Sequence, residues 1–239
     1  VNAVPDSYLK EMGLGPRWRL RAPVIAEPEP VAPEPSGQAS GLPDNRSAAI
    51  MGMDWPALRT DICACTACPL HATRTQAVPG VGAERADWLF VGEAPGADED
   101  AQGEPFVGQA GKLLDAMLAA IGLKRGANVY IANVLKCRPP GNRNPSPEEV
   151  MRCEPYLLRQ VELIQPKLIV ALGKFAAQTL LAQDTAIAKL RGEVHSYRGI
   201  PLIVTYHPAY LLRTLHDKAK AWQDLCLAVK TMRESGQSS

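Results

Sequence analysis

The apolar positions of this chain fall into short unbroken runs, separated by longer stretches of helical periodicity. Trp88-Leu89-Phe90-Val91 is one such run, closed by the Gly- and Pro-bearing loop at 92–96. Runs of this length bounded by turn residues read as buried strands. Further strands are expected at 129–135 and 167–172. Residues 193–206 read as a hairpin turning at Arg198-Gly199, whose second arm, 201–206, joins the main sheet. Between these runs, residues 111–123 space their apolar side chains as a helix does. Ser146-Pro147-Glu148-Glu149 forms a capping box with Pro at the first helical position, predicting a helix from 147 to about 164. Helices are also expected at 174–181 and 215–232. Strand–helix alternation of this kind implies an α/β fold, three-layer α/β/α, with a mainly parallel four-stranded central sheet. Ligands of such sheets bind outside the carboxyl ends of the strands, so the loops after Gly92, Leu135 and Tyr206 should converge on one site.

The pattern does not extend to the amino-terminal part. Residues 24–50 are rich in Pro, Glu and Ala and carry few large apolar side chains, so they cannot offset the entropy of ordering and read as a linker. Ahead of it, residues 1–23 hold an apolar and basic island with Tyr8, Leu9, Met12, Leu14, Trp18 and Leu20. This island either docks a partner, such as a replication or repair protein, or folds back on the main domain. The expectation is thus a disordered amino-terminal extension before a compact domain at 51–235.

Composition narrows the function classes. A hydrophobic content of 46% over 239 residues supports one good α/β core. A net charge of +1 excludes a strongly basic nucleic-acid coat protein, but a local basic groove would still suffice for a DNA enzyme. No apolar stretch is long enough for a membrane span, and no charged start precedes an apolar run. A cytoplasmic monomer with a tethered arm is expected, its six cysteines ligated or buried rather than paired.

Cys65-x-x-Cys68 and the pair Cys137 and Cys153, which flank a loop rich in Pro, Arg and Asn, point to one metal centre. Thiolates at these spacings hold either zinc or an iron–sulfur cluster, and counting cysteines does not separate the two. Gly92-Glu93-Ala94-Pro95-Gly96 follows a strand, and its exposed backbone N–H groups suit an oxyanion or a polarised carbonyl, although a plain turn has the same composition. Asp98, Glu99 and Asp100 follow, and then Phe106 in a Gly-flanked loop that suits stacking on a flat ligand. Asn133 lies in an otherwise apolar strand, where a buried amide needs partners and matches an imide edge such as uracil's. His207 ends the hairpin's second arm, placed to stabilise charge. Leu211-Leu212-Arg213 sets an apolar wedge beside a cation, the pairing that fills the gap left by an extruded base.

With these residues in order, the domain resembles the family 4 uracil-DNA glycosylases, the iron–sulfur branch of the uracil-DNA glycosylase superfamily. The resemblance rests on Cys65-x-x-Cys68, GEAPG at 92–96, PFVG at 105–108, N-x3-C-R-P-P at 133–140, Cys153 and HPAYLLR at 207–213, and it covers residues 60 to 232. It implies hydrolysis of the N-glycosidic bond of deoxyuridine in DNA, the first step of base excision repair. It also implies a [4Fe–4S] cluster on Cys65, Cys68, Cys137 and Cys153, favoured over zinc, with Cys63 near enough to compete and Cys226 left over. In that reading Gly92, Ala94, Phe106 and Asn133 bind uracil, and His207 stabilises the departing uracil anion. Glu93 positions water or steadies the sugar cation, with Glu99 supporting its loop. Leu211 is the wedge and Arg213 the phosphate contact. A superfamily branch that bonds covalently to DNA carries a His on a longer basic loop between the third and fourth cluster ligands. Here residues 138–152 are short and hold no His, so ordinary turnover is expected. The alternative is a uracil-DNA binding or iron–sulfur interaction module without turnover.

Overall fold

The computed structural model describes residues 45–235, so the island at 1–23 and most of the linker lie outside the described residues. Helix α1, Asn45–Met51, falls within the stretch read as linker, and its Ile50 is buried in the main core. Helix α2, Trp55–Ala64, follows, with Asp54 as N-cap accepting from the Ala57 backbone N–H and Pro at its start.

The sheet has six strands rather than four. They are β1 (Val81–Gly82), β2 (Trp88–Gly92), β3 (Val129–Asn133), β4 (Leu168–Leu172), β5 (Val194–Tyr197) and β6 (Ile200–Thr205), in the order β1-β3-β2-β4-β6-β5. The inner pairs β3–β2, β2–β4 and β4–β6 are parallel. Antiparallel β1 and β5 cover the two edges. The expected parallel four-stranded sheet is therefore the centre of a larger one. The hairpin turns at Arg198 and Gly199, both at positive φ, which gives the turn twist that matches two flanking strands.

Every residue of β2, β3 and β4 is buried, as a sheet covered on both faces requires. Successive side chains feed alternate faces. Leu89, Val91, Tyr130, Ala132, Ile169 and Ala171 pack on one side with Leu58 and Ile62 of α2, with Tyr156 and Val161 of α5 (Pro147–Ile164), and with Ala177 of α6 (Lys174–Leu181). Trp88, Phe90, Val129, Ile131, Leu168 and Val170 pack on the other with Leu114 and Leu118 of helix Gln109–Ala120 and Ala228 of helix Lys218–Ser235. Chain order labels the remaining helices α3 (Ala97–Gln102), α4 (Gln109–Ala120), α7 (Ile187–Leu190), α8 (Pro208–Arg213) and α9 (Lys218–Ser235). The capping box at Ser146 forms as expected: the Ser146 side chain accepts from the Glu149 N–H, and Glu149 accepts from the Ser146 N–H. Among the described residues no helix is long and apolar enough to cross a membrane.

Parallel strands end in register. Gly92 pairs with Asn133 at the carboxyl edge, and the ladder continues past it, Val134 N–H donating to the Gly92 carbonyl and Leu135 N–H to that of Glu93. The loops after β2, β3 and β6 thus leave the sheet side by side.

Candidate active site and thiol cluster

At that edge lies a cleft of about 430 Å³, lined by Glu93, Ala94, Phe106, Asn133, His207 and Arg213 among others. A concavity of about 540 Å³ between α4 and α9, around Ile121, Trp222 and Val229, is larger but gathers none of these side chains. The smaller cleft gathers the titratable, amide and aromatic side chains.

Gly92 is required here for space. A Cβ on it would meet Asn133 Oδ1 and would sit 2.6 Å from Phe106 Cζ. Phe106 itself has φ +57 and is buried, a costly backbone state for a bulky residue that its surroundings hold in place. Arg125 donates from Nη1 to the Pro105 carbonyl and from Nη2 to the Phe106 carbonyl, each at 2.8 Å. Gly111 lets helix α4 approach the same carbonyl, which any Cβ would strike. Glu99 clips the two loops together: Oε2 accepts from Gly96 N–H at 3.1 Å, and Oε1 accepts from Val107 and Gly108 N–H at 3.0 and 3.3 Å. Glu99 thus accepts three backbone hydrogen bonds.

Asn133 ends β3 with 2% exposure, and its Oδ1 has no hydrogen-bond partner among the described residues. That buried oxygen packs against Gly92, and a ligand N–H that reached it would satisfy it. His207 caps helix α8, its Nδ1 accepting from the Ala209 N–H at 3.1 Å. An accepting Nδ1 places the ring proton on Nε2. Burial pushes the imidazole down to about 4, so it stays neutral and can donate from Nε2 near pH 7. Its ring lies 5.4 Å from that of Phe106. Gly173, at φ +96, makes room for it, since a Cβ there would lie 2.9 Å from His207 Cβ. Glu93 is partly buried, and burial raises its carboxyl above the usual carboxylate range.

Leu211 does not fit the role expected of it. It is 1% exposed, packed with Met117, Tyr206, Ala221 and Leu225. Its neighbour Leu212 is 42% exposed beside Arg213. Successive residues of a helix point about 100° apart, so only one leucine of the pair can face the core. Sequence reading also missed Asn142, Arg143, Asn144 and Tyr210, which line the cleft. The Pro-, Arg- and Asn-rich composition of the loop between Cys137 and Cys153 was the one available signal.

The predicted cysteines come from four places: the end of α2 (Cys65), the following turn (Cys68), the loop after β3 (Cys137) and α5 (Cys153). They share one electrostatic neighbourhood. Cys68 feels Cys65, Cys137 feels both, and Cys153 feels Cys137 and Cys65. Among the described residues no three His, Cys, Asp or Glu side chains converge closely enough for a single metal ion. N–H donors face three of the sulfurs: Arg74 Nη1 at 2.9 Å from Cys137, the Lys136 backbone N–H at 3.3 Å from Cys153, and Arg46 Nη2 at 3.6 Å from Cys65. Cys63 and Cys226 are exposed, and Arg74, which donates to the Cys137 sulfur, also donates from Nη2 to the Cys63 carbonyl at 2.7 Å.

A covered parallel sheet with a cleft at its carboxyl edge, lined by an aromatic ring, an amide and an imidazole, is an α/β architecture that can take a flat polar ligand. Comparison with known proteins makes the class specific. The family model of the uracil DNA glycosylase superfamily matches residues 79–226. The Type-4 uracil-DNA glycosylase of Archaeoglobus fulgidus is 54% identical over 160 residues, covering 64% of this chain and 80% of that protein. That of Pyrobaculum aerophilum is 43% identical over 183 residues, covering 73% and 93%, and that of Thermotoga maritima 49% over 158 residues, covering 65% and 82%. The chain belongs to the uracil-DNA glycosylase superfamily.

Proposed function

We infer that this chain hydrolyses the N-glycosidic bond of deoxyuridine in DNA, releasing uracil and leaving an abasic site for base excision repair. The observation that carries this reading is His207, neutral, with Nδ1 bonded to the Ala209 N–H and so able to donate from Nε2 into the cleft beside Phe106 and Asn133. Deoxyuridine leaves the stack, Phe106 takes the base, and Asn133 reads its edge through the open Oδ1. As the C1′–N1 bond breaks, its electron pair moves onto the uracil ring, and His207 donates a hydrogen bond to the developing anion. Glu93 steadies the sugar cation or positions the water whose hydroxide adds to C1′, the second proton going to the leaving base or to solvent. Gly92, Ala94 and Glu99 keep the loop in place, Arg213 meets a phosphate, and Leu212 replaces Leu211 as the wedge.

Cys65, Cys68, Cys137 and Cys153 would hold a [4Fe–4S] cluster. Four cysteines brought from the end of α2, the turn after it, the loop after β3 and α5, with N–H donors at three of the sulfurs, are a set that such a cluster can use. When bound, the cluster supplies a cross-link between α2, the loop after β3 and α5, beside the loop that carries Asn142 and Arg143 to the cleft.

The test is single-turnover uracil release from a uracil-containing oligonucleotide, read as strand cleavage after alkali. His207→Ala and Asn133→Ala should each slow release by about 10²-fold or more. Near-normal rates in both, or a persistent protein–DNA adduct on a denaturing gel, would overturn the reading.

A further inference from the structure

Lys136 sits three residues beyond Asn133 and one before Cys137. It is 1% exposed, and its Nζ donates to the Asn133 backbone carbonyl and to Gln160 Oε1, both at 2.7 Å. Gln160, itself fully buried on α5, donates from Nε2 to the Pro79 carbonyl at 2.6 Å. Strand pairing explains why the Asn133 carbonyl needs such a donor. The edge strand β1 covers β3 only opposite Tyr130 and Ile131, so the end of β3 has no strand neighbour on that side. A buried carbonyl left open is unfavourable, and the ammonium satisfies it.

A buried ammonium is itself costly unless opposite charge lies near. Both of its hydrogen-bond partners are uncharged oxygens. Burial pushes Nζ down to about 8, so the two short hydrogen bonds are what hold it in place. Its own backbone N–H donates to the Cys153 sulfur, and its carbonyl accepts from the Val78 N–H at 2.8 Å. One residue therefore ties together the end of β3, helix α5, the strand-leading segment at 78–79 and two of the thiols.

We propose that Lys136 is a positioning residue for base recognition: its Nζ, held by Gln160, pins the Asn133 backbone carbonyl and so sets the amide that reads uracil. This rests on the assignment of Asn133 as the uracil reader. The Lys136 backbone N–H also donates to the Cys153 sulfur, so one residue links the thiol set to the amide. Lys136 touches neither substrate nor reacting atoms. Its effect runs through Asn133.

The experiment compares the cluster-loaded full chain with Lys136→Met, measuring inhibition by free uracil, affinity for abasic-site DNA, and iron per protein with the visible absorbance of the cluster. A displaced recognition hydrogen bond should weaken uracil inhibition by about tenfold or more. Affinity for abasic-site DNA should stay within about twofold, since phosphate contacts are untouched. In a double-mutant cycle, Asn133→Ala should cost uracil affinity little further in the Lys136→Met background, because both changes act on one amide. Should Lys136→Met fail to fold or to retain iron, Gln160→Leu removes one ammonium acceptor from α5 and should show the same selective loss at smaller size. Unchanged uracil inhibition in a folded, iron-replete variant, equal losses for uracil and abasic-site DNA, or full additivity with Asn133→Ala would overturn the proposal. If Asn133→Ala alone leaves uracil inhibition intact, the assignment of the reader fails instead.

Discussion

Replacing Leu211 and Leu212 separately by Ala distinguishes core from wedge within two adjacent, chemically identical residues. Leu211 is 1% exposed among Met117, Tyr206, Ala221 and Leu225, so its truncation leaves a cavity costing about 2–5 kcal/mol. For a domain of this size each kcal/mol lowers Tm by roughly 2–4 °C, so a drop of roughly 4–20 °C is expected. Leu212 is 42% exposed, and its truncation should change Tm by no more than about 2 °C. Its cost should appear on DNA. Fully burying a leucine is worth about 1.5–3 kcal/mol, and the exposed two-fifths of this side chain then contributes about 1 kcal/mol when it covers the gap left by an extruded base. That converts to roughly a fivefold loss in single-turnover kcat/KM on duplex substrate. Single-stranded substrate leaves no opposing stack to fill, so the loss there should be smaller. Thermal unfolding and uracil release from duplex and single-stranded oligonucleotides read both quantities. Unchanged Tm in Leu211→Ala together with a duplex-specific loss of release would restore Leu211 as the wedge and refute the reasoning.

Two further outcomes follow from the cleft. His207 is held down to about 4 against an ordinary value near 6.5, so the unfolded chain takes up a proton that the folded chain does not as pH falls from about 6.5 to about 4. Stability contributed by this group is therefore intact above pH 6.5 and lost across that window, and NMR titration of the imidazole should find a midpoint near 4; a midpoint near 6.5 would remove the neutral-donor argument. The role proposed for Glu93 needs an ionised carboxylate, and its partly buried carboxyl titrates above the usual range, so the acid limb of activity should follow it. Gly92→Ala would place a Cβ 2.6 Å from Phe106 Cζ and against Asn133 Oδ1, forcing both to move by most of an ångström. Misplacement of that size should cost about 10²-fold in uracil release, and release within twofold of the unmodified chain would show that the cleft absorbs the change.

Much of this protein was legible along the chain. The buried runs at 88–92 and 167–172, the capping box at Ser146 and the Arg198-Gly199 turn are local patterns, and each formed within a residue or two of expectation. The site motifs were legible for the same reason: their chemistry depends on residue type and order, which parallel strands then bring to one edge. Strand β1, only two residues long, was not, because so short an edge strand exists only through its pairing with β3. Helix α3 was read simply as acidic residues, since its six-residue span has no apolar stripe of its own.

The sequence by itself determined the strand and helix order, the family, and the residue types of cleft and thiol set, because periodicity, turn chemistry and motif spacing are properties of neighbours along the chain. Only the tertiary structure decided which of two adjacent leucines faces solvent, that Glu99 closes three backbone N–H groups, and that His207 is a neutral donor. It alone revealed Lys136 buried, with its Nζ on the Asn133 carbonyl and its backbone N–H on the Cys153 sulfur. These depend on burial and on contacts between segments far apart in sequence, such as Lys136 with Gln160 or Gly92 with Phe106, and no local pattern encodes a distance across the core.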